Sequence, residues 1–131
     1  MTSGVASSRD SLLRMAIHLD ATGTGVLGLG TAAFARPLAE LTALTPAQTY
    51  VAAAAFILYG VVGNLLARRP RIRGIGIGLS AFNFFGTVAA VATVAAGALH
   101  LTGAGQAIVL GCGIYTLAFG AMQLVGVRRL L

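Results

Sequence analysis

The chain has 131 residues, of which 57% are hydrophobic and 9% charged, with a formal net charge of +6. Soluble domains carry about 45–50% apolar residues with glycine included and about 25% charged ones, and a short chain has too much surface to hide a larger apolar excess. The composition excludes a soluble globule, a disordered chain and, with Cys112 as its sole cysteine, a disulfide-stapled scaffold; a membrane protein is left.

In chain order, Ser3, Ser7 and Ser8 make the first ten residues read as a frayed tail. About 20 predominantly apolar residues cross the hydrocarbon core as a helix, and four runs have that length: residues 15–35, 47–67, 74–99 and 104–127. They are Ala-rich, long and without polar/apolar alternation, so strands are disfavoured. Arg36-Pro37 closes the first run, and residues 36–45 form the longest connection, in which Leu38-Ala39-Glu40-Leu41 suits a short interfacial turn. Thr45-Pro46-Ala47-Gln48 opens the second run as a capping box with Pro at the first helical position. Arg68-Arg69-Pro70 closes it, because Pro cannot continue the hydrogen-bond ladder. Residues 100–105 separate the last two runs, and Arg128-Arg129 ends the fourth. The expected fold is an all-α, four-helix transmembrane bundle forming one domain over residues 1–131. A cleaved leader ending at Ala33-Phe34-Ala35 is the competing reading of the first run; the run's length, and Asp20 and His18 inside it, speak against cleavage.

The arginines set the orientation. Arg9 and Arg14 precede the first run, Arg68, Arg69, Arg71 and Arg73 crowd the second connection, and Arg128 and Arg129 follow the last. With four crossings these lie on one side and Arg36 alone on the other, which by the positive-inside rule puts both termini in the cytoplasm. The Arg68 to Arg73 segment is expected to contact anionic lipid headgroups, each basic residue contributing about 1 kcal/mol near the surface. A tight hairpin against headgroups leaves little room for nucleic acid, which is not expected as a partner.

Asp20 is the most informative position. A carboxylate at the centre of a membrane helix costs about 2.5–3.5 kcal/mol, less nearer the interface, so it must be partnered, protonated or wet. Counted from the arginine markers, Asn64, Asn83 and Gln123 fall at a similar depth and are the candidate partners in an intramembrane polar cluster; Ser80 and Tyr59 lie at that level too. His18 points about 200° away from Asp20 around the helix, so the pair forms no relay. Gly23-Thr24-Gly25-Val26-Leu27-Gly28 fits G-x-G-x-x-G, but a dinucleotide site needs a strand before it and a βαβ unit around it. Close helix packing through small residues explains it better, as it does the Cys112, Thr116, Gly120 series and the Gly74, Gly78 pair. No metal-ligand spacing and no nucleophile–base arrangement is present. The expectation is a protein that is not an enzyme, with no catalytic residue, cofactor or metal.

Leu19-Asp20-Ala21 in a Gly-rich first helix, Pro37-Leu38-Ala39-Glu40-Leu41 after it and Asn83 in the third resemble small four-helix bacterial inner-membrane proteins. The resemblance implies topology and location and no activity. Small multidrug-resistance transporters and fluoride channels have similar length, but the characteristic motifs of both are absent, and no functional residue is carried over from either. The expected role is a self-associating bundle or an accessory subunit of a larger membrane complex. The alternative is a small proton- or cation-coupled transporter or channel using Asp20.

Overall fold

The computed structural model describes the backbone of residues 3–130 and the side chains of residues 10–130. Five helices follow one another: α1 (Ser3–Ala33), α2 (Ala35–Thr42), α3 (Pro46–Leu66), α4 (Ile72–Ala96) and α5 (Gly103–Arg128). Three of them, α3, α4 and α5, are long and apolar enough to cross a membrane. The 21 residues of α3 span about 31 Å at 1.5 Å per residue, close to the thickness of a hydrocarbon core. α1 is longer, with 31 residues, but Asp10, Arg14, His18 and Asp20 dilute its apolar character.

Two boundaries differ from the expected ones. α1 reaches back to Ser3, so the serine-rich start continues the helix instead of fraying; adding one residue to an existing helix costs far less than nucleating one, which outweighs the weak preference of Ser for caps. The side chains of residues 3–9, Arg9 among them, lie outside those described. The expected loop after Arg36 is the short helix α2. It breaks from α1 at Phe34 and ends on Ala43, whose left-handed φ of 68° lets its N–H reach Ala39 O. Pro37 sits in the first turn of α2, where a missing N–H costs nothing.

The other ends follow their sequence signals. Gln48 N donates to Thr45 Oγ1 at 3.0 Å, and Thr45 N donates to Gln48 Oε1 at 2.9 Å, which closes the capping box of α3. Gly97 ends α4 with φ 63°, a conformation that glycine enters without steric cost. Thr102 caps α5 by accepting from Gly105 N at 3.0 Å, and its own N–H donates to Thr42 O at 3.1 Å, tying α2 to the start of α5.

α1 is the organising element. It packs extensively on α3 and also touches α5 and α4, while α4 and α5 pack on each other. Glycine explains the closeness of the α1–α3 pair: a Cβ on Gly60 would lie 2.8 Å from Gly25 Cα and 2.9 Å from Ala21 O. Here the G-x-G-x-x-G run meets a neighbouring helix. Gly74 and Gly78 have no atom within 4 Å of where a Cβ would be, so that pair faces away from the rest of the chain. The apolar core gathers at the arginine-rich end, where Leu13, Ile17, Ala67, Ile72 and Val127 are buried together. Arg14 locks this end. Its guanidinium donates to Ala67 O at 2.7 Å, Arg69 O at 2.8 Å and Pro70 O at 3.2 Å, and it pairs with Asp10 at 3.1 Å. The carbonyl of Ala67, the C-cap of α3, and those of Arg69 and Pro70 in the turn after it gain partners this way.

Candidate functional site

Asp20 lies just beyond that core and is 1% exposed. Three helices send donors to its Oδ2: Tyr59 Oη of α3 at 2.6 Å, Gln123 Nε2 of α5 at 2.9 Å and Asn83 Nδ2 of α4 at 3.1 Å. Among the described residues Oδ1 receives the Thr24 hydroxyl alone, at a long 3.4 Å. Asn83 and Gln123 also hold each other, Nδ2 donating to Oε1 at 2.9 Å. Periodicity explains how the donors converge: Gly76, Ser80 and Asn83 lie on the buried stripe of α4, and Gly113, Gly120 and Gln123 on that of α5. Small residues at the turns around each amide let the helices approach until the amides meet Asp20. A Cβ on Gly120 would lie 3.2 Å from Asn83 Cβ.

Tyr115 completes the cluster from α5. Its hydroxyl donates to Asp20 O at 2.8 Å, and Thr24 Oγ1 lies 3.3 Å from Tyr115 Oη. Thr24 thus stands between two oxygens and has one proton for them. The Ser80 hydroxyl, one turn from Asn83 on α4, is buried without a hydrogen-bond partner.

The cluster contains donors but no cation. Among the described residues, the ion pair within 4.0 Å is Arg14 with Asp10, so no basic side chain neutralises Asp20. Four hydrogen bonds at about 0.6 kcal/mol each come close to offsetting the about 2.5–3.5 kcal/mol that a carboxylate costs in the bilayer, and none of them brings a positive charge. Among the described residues, no group of three or more His, Cys, Asp or Glu is placed to hold a metal ion.

Of the candidate partners read from the sequence, Asn83 and Gln123 bond Asp20, while Asn64 lies elsewhere. Its Oδ1 is 2.6 Å from His18 Nδ1 and its Nδ2 donates to Gly60 O at 2.8 Å, on the outer face of the α1–α3 pair with Thr22. Depth alone placed it with Asp20; its angle around α3 places it with His18. Tyr59, Thr24 and Tyr115 bond Asp20 in addition to the expected partners; the depth of Tyr59 and the spacing of Thr24, four residues from Asp20 on one helix face, are the sequence signals for two of them. Arg68, Arg69, Arg71 and Arg73 are exposed at the α3–α4 connection, and Arg69 and Arg71 border a surface depression of about 370 Å³ with Leu66, Pro70 and Ile75.

A cavity of about 200 Å³ adjoins the cluster, with Asp20, Thr24, Phe56, Tyr59, Phe82 and Asn83 in its walls. The rings of Tyr59 and Phe82 in its wall stack on each other, with centroids 5.9 Å apart and planes at 18°. A second cavity of about 360 Å³, bordered by Leu27, Ile108, Cys112 and Tyr115, shares Thr24, Phe56 and Thr116 with the first. No protein-family model, curated protein or solved structure matches the chain, so the chemistry of the site rests on its own geometry.

Proposed function

We propose that the chain is a small, non-enzymatic, multi-pass protein of a bacterial inner membrane that binds a cation at Asp20 and works as a proton- or cation-coupled transporter or channel. In this reading α1 makes a fourth crossing beside α3, α4 and α5, both termini are cytoplasmic, and the arginines of the α3–α4 connection contact anionic headgroups. One observation supports the function above the others: a buried carboxylate with no basic partner among the described residues forms part of the wall of a cavity. Such a group attracts a positive charge strongly where the dielectric is low, and intramembrane acids of this kind mark ion and proton pathways. The test is flux. Proteoliposomes containing the protein should carry protons or monovalent cations, and Asp20→Asn should lower the flux by at least about ten-fold, the size of effect expected when a buried charge pair loses one member. Equal flux through both forms would contradict the proposal.

A second reading, self-association or service as an accessory subunit, is favoured by a different surface. His18, Thr22 and Asn64 form a polar group on the outside of the α1–α3 pair, beside a groove of about 430 Å³ bordered by Gly25 and Gly60. Polar side chains facing lipid gain from a partner helix, and a second copy of the chain presents the same groups. Under this reading Asn64→Leu shifts the protein from oligomer to monomer in native mass spectra taken from nanodiscs.

A further inference from the structure

The cavities beside Asp20 have a direction. α3 makes its extensive contacts with α1 and α2, and α4 and α5 pack on each other, which leaves a crevice along the side of the molecule between α3 and the α4–α5 pair. Its rim is apolar and uncovered: Phe82 is 60% exposed, Leu27 50% and Ile108 42%. Across such a rim a molecule dissolved in the bilayer enters more readily than a hydrated ion, which would have to shed its water there. At the inner end stand three oxygens in a row, Asp20 Oδ1, Thr24 Oγ1 and Tyr115 Oη, separated by 3.4 Å and 3.3 Å. Both spacings are long for O–H···O bonds, so these oxygens retain acceptor capacity, unlike Asp20 Oδ2 with its three donors.

We propose that this crevice binds an amphiphilic primary amine that enters sideways from the bilayer, its ammonium on Asp20 Oδ1 and its alkyl chain along Phe56, Leu27 and Ile108. The inference rests on the cation reading of Asp20 and adds the ligand class and the route. A primary ammonium carries three N–H donors, which suit the three oxygens. Thr24 admits it without movement of heavy atoms: its hydroxyl proton turns from Asp20 Oδ1 to Tyr115 Oη and frees Oδ1. A quaternary ammonium has no N–H to give, an alcohol has no charge, and a carboxylate is repelled by Asp20.

The experiment uses the full chain in nanodiscs and an octylamine carrying a diazirine at the far end of its alkyl chain. Illumination should attach the probe to α3 and α5 residues of the crevice. Excess octylammonium should compete, while octyltrimethylammonium, octanol and octanoate should not. Asp20→Asn should lower labelling by at least about ten-fold. Ala55→Phe should do the same by filling the cavity from an exposed position that makes no bond to the cluster. Circular dichroism and gel filtration establish that each variant is folded, and either folded variant decides the matter. Labelling that is absent, that is equal in the folded variants, or that octyltrimethylammonium prevents equally well would overturn the inference. If it fails while proteoliposome flux still depends on Asp20, the cation reading stands without the amine; if wild-type flux is also absent, both fail.

Discussion

Tyr59 and Asp20 meet across 2.6 Å, the phenol of α3 donating to the carboxylate of α1. The same Tyr59 ring stacks on Phe82 of α4 at 5.9 Å. One side chain thereby joins the α1–α3 pair to the α4–α5 pair on the side where their backbones stand apart. It also forms one wall of the cavity beside the acid, so the residue takes part both in packing and in access to Asp20.

Tyr59→Phe separates those two roles. The ring stays and its stack with Phe82 persists, while one donor to Oδ2 is lost. The expected stability loss is about 0.6 kcal/mol and at most roughly 1.7 kcal/mol, the range of single interhelical hydrogen bonds in membranes, measured by SDS-titrated unfolding in bicelles. A loss several times larger would show that the stack depends on the hydroxyl.

Substitution at Asp20 itself should be graded by shape. In Asp20→Asn the amide oxygen still accepts from Tyr59, Asn83 and Gln123, and the amide nitrogen takes the place of Oδ1 and donates to Thr24, so the helices remain together. Asp20→Ala leaves those donors without an acceptor and removes four bonds, about 2.4 kcal/mol at about 0.6 kcal/mol each. Unfolding titrations of the two variants should differ in this order. If Asp20→Ala were as stable as wild type, the cluster would contribute nothing to packing.

The glycines divide into those that permit contact and those that do not. Gly60→Ala places a methyl 2.8 Å from Gly25 Cα and 2.9 Å from Ala21 O, both backbone atoms. It should cost about 1–3 kcal/mol, as overpacking does. Gly78→Ala meets nothing within 4 Å and should gain up to about 1 kcal/mol from helix propensity. Thermal unfolding followed by circular dichroism reads both, and similar midpoints for the two variants would contradict the α1–α3 packing described.

Much of this architecture was legible in the sequence because its signals are local. Arginine and proline punctuation marked the ends of α3, and Thr45 with Gln48 marked its cap. Depth was legible too, since 1.5 Å per residue from an arginine is simple arithmetic, and it placed Asn83 and Gln123 level with Asp20. Angle was not. Asn64 has the right depth and sits on the side of α3 that meets His18, a matter of how α3 is rotated against α1, which the Gly25–Gly60 contact decides. The crevice was illegible for a related reason: it exists because α3 and α4, though consecutive, do not close on each other, a property of tertiary packing with no local sequence signal. α2 is not legible as a helix in the sequence because eight residues form no independent helix; contacts with α3 and α5 hold it.

The proposed orientation has its own outcome. Reporter domains fused to either terminus should be active only in their cytoplasmic form. A membrane-impermeant thiol reagent added outside intact cells should label His100→Cys and spare Arg69→Cys when Cys112 is replaced by Ala. Labelling of both positions from outside, or a terminus that reports as external, would contradict four crossings.

The central claim is that a positive charge can reach Asp20, and the rate of one thiol reaction tests it most directly. Thr24→Cys, with Cys112 replaced by Ala, puts a sulfur beside Asp20 Oδ1 within the cavity wall. Aminoethyl methanethiosulfonate, a small primary ammonium, should modify it at least about ten-fold faster than the anionic sulfonatoethyl reagent of similar size, a ratio in keeping with one nearby charge in a low-dielectric site. The advantage should vanish when Asp20→Asn is added. Equal rates for the two reagents, or a thiol that reacts with neither, would mean that the carboxylate is sealed and serves packing alone.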